Sequence, residues 1–395
     1  SFRAFVRHGT TATVETLKLL PISPRQVVVR CEASAPCYTI VRGVLGTTES
    51  RRAAVPNHAG FGVVEAVGSQ VKRVQPGDRV VVAGTSQCGQ CYQCLQGRAD
   101  FCQFTWGGVT FPAFAEMSDK TPVFADAGIG GLAEVMVITE EYCCPVFSDL
   151  PAEELTLLGD QLATGFCAGF ARMRFEPGCD VAIFGAGPVG LGSVQAGRVL
   201  GADKIIVVEP IKYRREMAMK LGATHVLDPT GKGDAIVEEI RELCKGRSDR
   251  LFAGQVGWAK GNAIAARGAD FTIEAAGILA APPKVETQPD PTNVSVVRQA
   301  YDCTKQGGHV MMMGFTLADV PLNGVGLALY GRTIHSGQQG GMHMMRDIPR
   351  MVKLMEKGVI DSKTIISKRY GINETKQSVQ DCADRTIITG VVKYS

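Results

Sequence analysis

No apolar run in this chain approaches the roughly 18 residues that a membrane-spanning helix needs, so no segment reads as one. The opening stretch "SFRAFVRHGTTATVETLKLL" lacks the basic, apolar and cleavage regions of an export signal, and a cytoplasmic protein without a membrane partner is expected. Charge of one sign is also scarce. A formal net charge of +3 over 395 residues is too small to imply a nucleic-acid partner. Thirteen cysteines are too sparse, and odd in number, for a disulfide scaffold, which leaves metal binding or plain burial. Histidine is rarer still, at six. What remains is the composition of an ordinary α/β protein, 45% hydrophobic and 21% charged with 46 glycines, long enough for two or three domains.

Four of the cysteines are crowded into "CGQCYQCLQGRADFC", residues 88 to 102. Cys88, Cys91 and Cys94 supply three thiolates from one loop, and Cys102 adds a fourth. Four thiolates close a tetrahedral shell around Zn²⁺ without water, the arrangement of a structural site. Gly89 and Gly97 free the backbone where it wraps the ion. An iron–sulfur cluster and unliganded thiols are the competing readings. A ferredoxin-type run brings its last cysteine with a following proline, whereas Gln103 follows here. A closed shell has no position for substrate, so the chemistry lies elsewhere. Cys37 in "SAPCYTIVRG" and His58 in "VPNHAGFGVVEAVG" are candidates for a second, open site, although each taken alone reads equally as a buried cysteine and a turn histidine.

"DVAIFGAGPVGLGSVQAGRVLGADKIIVVEP" carries the second signature. A strand ends at Phe184, Gly185-Ala-Gly187-Pro188-Val189-Gly190 follows, then a helix, then a strand ending at Glu209. Gly185 makes the tight turn, Gly187 lets the backbone approach a pyrophosphate, and Gly190 lets helix and strand pack closely. The helix N-terminus favours phosphate through its free N–H groups and dipole. Glu209, 19 residues past the last glycine, accepts the ribose hydroxyl protons of NAD(H) and repels a 2′-phosphate. Lys212, Arg214 and Arg215 follow closely and pull the other way, toward NADP.

With these motifs in order, the chain resembles the zinc-containing medium-chain dehydrogenase/reductase superfamily, alcohol dehydrogenase type. The resemblance runs nearly end to end, through "GFGVVEAVG", "VQPGDRVVV", the cysteine loop, "LATGFCAGF", "DFTIEAAG", "GGHVMMMGF" and "YGRTIHSGQQGG". It implies an α/β fold with a GroES-like β-rich catalytic domain (1–160, bearing the cysteine lobe), a Rossmann doubly wound parallel sheet (161–335), and a return to the catalytic domain (336–395). It places Cys37, His58 and Asp160 at the catalytic-zinc ligands, Thr39 at a hydroxyl proton relay, and Thr164 and Val189 beside the nicotinamide. A carboxylate is a competent zinc ligand. The implied activity is NAD-dependent interconversion of a small-molecule alcohol, secondary or aromatic, and its carbonyl compound, by a homodimer or homotetramer.

Three departures bear on the site. Ala59 stands where the family has a glutamate beside the ligand histidine. Ile40 replaces an aspartate that orients that histidine, a loss worth about 10–100-fold in metal affinity or activity. Arg42 replaces the relay histidine and accepts no proton at neutral pH. They keep two alternatives open, a zinc-poor reductase of C=C or C=N bonds and an enzyme that recycles a tightly held NAD between two substrates. A redox-inactive NAD-sensing protein is the non-enzymatic one. Two stretches are longer than the family needs, 250–268 and the Pro-rich 278–293, both expected as excursions on the cofactor domain. The methionines of "GGMHMMRDIPRMVKLME" read as core. Trp106, Phe111 and Phe114 read equally as a substrate wall and as the loop's own core.

Overall fold

The computed structural model describes residues 1–46, 49–105, 111–246, 266–287 and 290–394. Trp106 and most of the 250–268 stretch lie outside them. The chain divides into two compact units. The first comprises Ser1–Thr164, Ala280–Lys284 and Gly341–Ser395, and the second Gly165–Leu279 and Val285–Gly340.

The first unit is β-rich. Strands Phe2–Gly9, Thr11–Leu19, Ala115–Glu116, Pro122–Ala125 and Ser50–Val55 close into a barrel. A second sheet runs in the order Cys143–Pro145, Arg79–Val82, Gly60–Val67, Gln26–Ser34, Thr389–Lys393 and Ile366–Gly371, with Val135–Thr139 also paired to Gln26–Ser34. The central strand Gln26–Ser34 is covered on both faces. Val28 joins the cluster of Phe2, Phe5 and Leu17, while Val27 and Val29 join Val64, Val80 and Val82. That double burial is why it reads "VVV" instead of alternating polar and apolar residues. Phe114 is 4% exposed and packs on Phe2 in the barrel core, so it builds no substrate wall. Met344, Met351 and Met355 bury one face of helix Met344–Glu356, as their spacing predicts.

The second stretch of extra length departs from expectation. Residues Ala280–Lys284 belong to the first unit and not to the cofactor domain. The Ala280 amide donates to Tyr38 Oη at 3.0 Å and the Lys284 amide to the Asp384 carbonyl at 3.0 Å. Ala280 and Ala281 lie against the barrel core. Burying these apolar residues and satisfying their amides there outweighs leaving them in a solvated loop.

The second unit is the expected doubly wound sheet. Its parallel strands lie in the order His225–Leu227, Lys204–Val208, Asp180–Phe184, Ala269–Glu274, Thr304–Met312, Thr333–His335. Numbered along the chain this is 3-2-1-4-5-6, the dinucleotide-binding order. Helix Pro188–Leu200 starts with proline in its first turn and stops at Gly201, whose φ of 78° suits glycine. Among the described residues no helix is long and apolar enough to cross a membrane.

Candidate metal and cofactor sites

Cys37 precedes a single 3-10 turn, Tyr38–Ile40, at the end of the central strand of the first unit. His58 sits in the loop between strands Ser50–Val55 and Gly60–Val67. Asp160 ends a 3-10 turn just before helix Gln161–Cys167. Their ligand atoms all lie within 4.8 Å of one another. Tetrahedral zinc with ordinary bond lengths sets its ligand atoms about 3.3–3.8 Å apart, and His58 Nε2 stands 3.2 Å from Asp160 Oδ2. Burial alone would lower the His58 pKa. The Cys37 sulfur and the Asp160 carboxylate beside it outweigh burial and raise the pKa well above the usual histidine value. The Asp160 carboxyl, raised by burial, is held below the usual range on balance by His58, Cys37 and Thr164. The Cys37 sulfur and the Asp160 carboxylate thus set a negative potential at the centre of the trio, which favours a cation there.

Two residues that sequence reasoning missed hold these loops together. Asn57 is 1% exposed with φ of 78°, a backbone that asparagine tolerates better than most residues. Its Oδ1 accepts the Cys37 amide at 3.1 Å, and its Nδ2 reaches Ser34 Oγ at 2.9 Å and the carbonyls of Ala35 at 3.1 Å and Ala59 at 3.2 Å. Gln161, 3% exposed, donates to the Pro36 carbonyl at 2.8 Å and accepts from Thr389 Oγ1 at 2.7 Å. The Pro-Asn turn before His58 was the one local signal. Asn57→Gly keeps the backbone conformation and removes the clamp. We expect about 10–100-fold weaker metal at this site with the cysteine lobe unaffected, read by chelator competition. Unchanged affinity would show that the loops need no clamp.

The departures have local causes. Ala59 is 2% exposed and lies so close to Gly159 that a Cβ on that glycine would stand 3.0 Å from the Ala59 Cβ. Ile40 packs against the barrel core. Thr39 and Arg42 are exposed. Thr164 donates its hydroxyl to Asp160 Oδ1 at 3.1 Å and so helps aim that carboxylate.

In the cysteine lobe the sulfurs of Cys88, Cys91, Cys94 and Cys102 also lie within 4.8 Å of one another. The Cys88 and Cys94 sulfurs are 3.9 Å apart, close to the edge of a zinc–thiolate tetrahedron. The Cys88 amide points at the Cys102 sulfur (3.4 Å) and the Cys91 amide at the Cys88 sulfur (3.3 Å), contacts that favour thiolate. Gly89 and Gly97 have φ of 77° and 72° where the chain wraps the cluster.

In the second unit Gly185 has φ of 97°, and a Cβ there would lie 2.9 Å from the Ala275 carbonyl. A Cβ on Gly190 would run into the Gly185 carbonyl. Pro188 and Val189 open the helix, partly exposed. Glu209 is 3% exposed, and its carboxylate accepts the Ala186 amide at 2.7 Å and the Ile211 amide at 2.9 Å. Arg214, 8% exposed, donates from Nε to Tyr213 Oη at 3.1 Å. A Cβ on Gly187 would lie 3.9 Å from its guanidinium. Arg215 turns back onto the Glu209 and Pro210 carbonyls and pairs with Asp228.

Known proteins resemble this chain along nearly its whole length. The alcohol dehydrogenase GroES-like domain matches residues 23–148, and the zinc-binding dehydrogenase domain residues 188–357. Geraniol dehydrogenase of Castellaniella defragrans is 31% identical over 386 residues, covering 94% of this chain and 91% of that protein. The chain belongs to the zinc-containing medium-chain dehydrogenase/reductase superfamily. Within it, NDMA-dependent alcohol dehydrogenase of Amycolatopsis methanolica is 26% identical over 402 residues, covering 100% of this chain and 99% of that protein. A solved structure, an alcohol dehydrogenase zinc-binding domain protein from Burkholderia ambifaria, superposes with a TM-score of 0.82 at 25% identity, covering 100% of this chain and 99% of the other.

Proposed function

We propose that this member of the superfamily is an NAD-dependent zinc alcohol dehydrogenase that interconverts a secondary or aromatic alcohol and its carbonyl compound. The observation that carries the reading is the convergence of Cys37, His58 and Asp160 on one point. Cys37 Sγ, His58 Nε2 and an Asp160 oxygen would hold the catalytic Zn²⁺, and the four lobe thiolates a structural one. When bound, the metal supplies Lewis acidity toward the substrate oxygen and the nicotinamide supplies the hydride-accepting carbon. The exposed Thr39 hydroxyl receives the alcohol proton and gives up its own. Arg42 cannot continue that relay as a base, so the proton leaves through solvent or a cofactor hydroxyl. Zinc-replete protein is expected to reduce NAD+ with secondary or aromatic alcohols in a spectrophotometric assay. Inertness toward a broad panel of primary, secondary and aromatic alcohols would sink the reading.

Glu209 sets the cofactor preference. Its carboxylate repels a 2′-phosphate while holding the glycine turn through Ala186. Glu209→Gln is expected to narrow the preference for NAD over NADP by about tenfold, the scale of one nearby charge. Tighter binding of NADP than NAD by the wild-type protein would refute the assignment.

The second unit also supports homo-oligomer formation. Val325, Leu327 and Leu329 on helix Gly324–Leu329 and Ile334 on the edge strand Thr333–His335 are 50%, 52%, 57% and 45% exposed. A second copy of this chain would cover them. Sedimentation of the wild-type protein should give a dimer or tetramer, and Ile334→Lys should shift it toward monomer. A monomeric wild type would overturn this.

A further inference from the structure

The carboxyl end of strand Ala269–Glu274 carries a feature that the cofactor signature leaves unused. Glu274 is 0% exposed, and among the described residues the hydrogen-bond partners of its carboxylate are all donors. Oε1 accepts the amides of Ala276 at 2.8 Å and Gly277 at 3.1 Å and the side-chain amide of Asn293 at 3.0 Å. Oε2 accepts the amide of Gly314 at 2.9 Å. A carboxylic acid would have to spend one proton on a partner that accepts, so this set of donors suits the ionised form. Burial pulls the other way and raises the pKa of the group.

The donors come from three segments. Ala276 and Gly277 follow the fourth strand of the sheet, Gly314 follows the fifth, and Asn293 ends the Pro-rich stretch. The two loops touch closely enough that a Cβ on Gly314 would lie 2.5 Å from the Gly277 nitrogen and 2.6 Å from both Glu274 oxygens. On the other side the same loop abuts the nucleotide turn. The Ala275 amide donates to the Phe184 carbonyl at 2.8 Å, and a Cβ on Gly185 would sit 3.0 Å from Ala276 Cα. One buried charge thus ties together the loops that flank the glycine turn.

The sheet order decides which half of a dinucleotide meets those loops. Strands 1 to 3 carry the glycine turn and Glu209, which take the pyrophosphate and the adenosine ribose, so the other mononucleotide lies over strands 4 to 6. That half is the nicotinamide, which is cationic when oxidised and neutral when reduced. We propose that Glu274 is a positioning residue that builds the ledge under the nicotinamide half and, through its buried negative charge, favours the oxidised over the reduced dinucleotide. The proposal rests on the reading that the second unit binds NAD. In the low-dielectric interior such a charge acts on the ring at longer range than a surface carboxylate does.

Titration calorimetry with three probes on the full chain separates the two readings. ADP-ribose, which lacks the nicotinamide, tests NAD binding alone; if neither it nor NAD+ binds the wild type, the NAD reading itself fails. For Glu274→Gln we expect unchanged ADP-ribose affinity and about tenfold greater loss of affinity for NAD+ than for NADH. Asn293→Gly removes one donor, keeps the charge and suits the φ of 68° at that position; it should weaken NAD+ and NADH equally. Equal losses for Glu274→Gln would overturn the role of the charge. Should that variant fail to fold, Glu274→Asp decides: it keeps the charge while loosening the contacts, so it should leave the ratio of NAD+ to NADH affinity at the wild-type value, and a shift of that ratio by about tenfold would overturn the proposal.

Discussion

Asp160→Ala is expected to abolish turnover and to release one of two zinc ions, with NAD binding intact. On the proposed reading the carboxylate would be the third donor, beside the Cys37 sulfur and the His58 imidazole. It also pairs with His58 Nε2 at 3.2 Å and accepts the Thr164 hydroxyl at 3.1 Å. Its loss leaves two donors, too few to hold zinc against solvent. Lewis-acid activation is worth several kcal/mol, so turnover should fall about a thousandfold or more. NAD binding should survive because Gly185, Gly187, Gly190 and Glu209 belong to the other unit. With Cys37 and Asp160 both ionised, the charges of a bound Zn²⁺ and its ligands would sum to zero, as they would with two thiolates and one histidine. A carboxylate donates less charge than a thiolate, so the ion here should be the stronger Lewis acid. Asp160→Cys should therefore keep the metal and recover part of the activity. Metal analysis with steady-state kinetics checks both variants. An alanine variant with two zinc ions and full turnover would mean that the substrate is activated without this metal, and reduction of a C=C or C=N bond would become the better reading.

Cys91→Ser should act on stability instead. A serine hydroxyl stays protonated at neutral pH and cannot replace a thiolate, so the closed shell opens and its ion is lost. Cys102, 0% exposed, and the amides aimed at the sulfurs would then lack their common centre. The damage should spread, because Gln87 beside the lobe accepts the Met345 amide at 3.2 Å at the start of helix Met344–Glu356. A loss of about 3–5 kcal/mol would lower the melting temperature by about 5–10 °C. Differential scanning fluorimetry with colorimetric zinc release measures both. A variant that melts normally with its zinc in place but has lost hydride transfer would make the lobe catalytic.

The cysteine lobe and the nucleotide turn were legible in the residues alone because each is local. Four sulfurs within one loop can meet whatever the rest of the chain does. A strand, a glycine turn and a helix likewise need only their own backbone conformations. Cys37, His58 and Asp160 are different, since His58 and Asp160 are 102 residues apart and no spacing rule brings them together. Only resemblance to a family pointed there, and only the paired strands of the first unit bring them within reach. Asn57 looked like a turn residue because three of its four partners lie on the distant run of residues 34–37, with Ala59 the one local partner. Glu274 looked like the end of an apolar strand because its donors arrive from loops that meet only in the folded sheet. The Pro-rich stretch read as an excursion on the cofactor domain, while Ala280–Lys284 in fact found amide and ion-pair partners in the first unit. Local spacing and backbone preference thus determined the class of the chain, its cofactor turn and its cysteine cluster. Tertiary packing decided which distant polar groups are buried together, because desolvation makes such groups depend on partners that sequence order does not reveal.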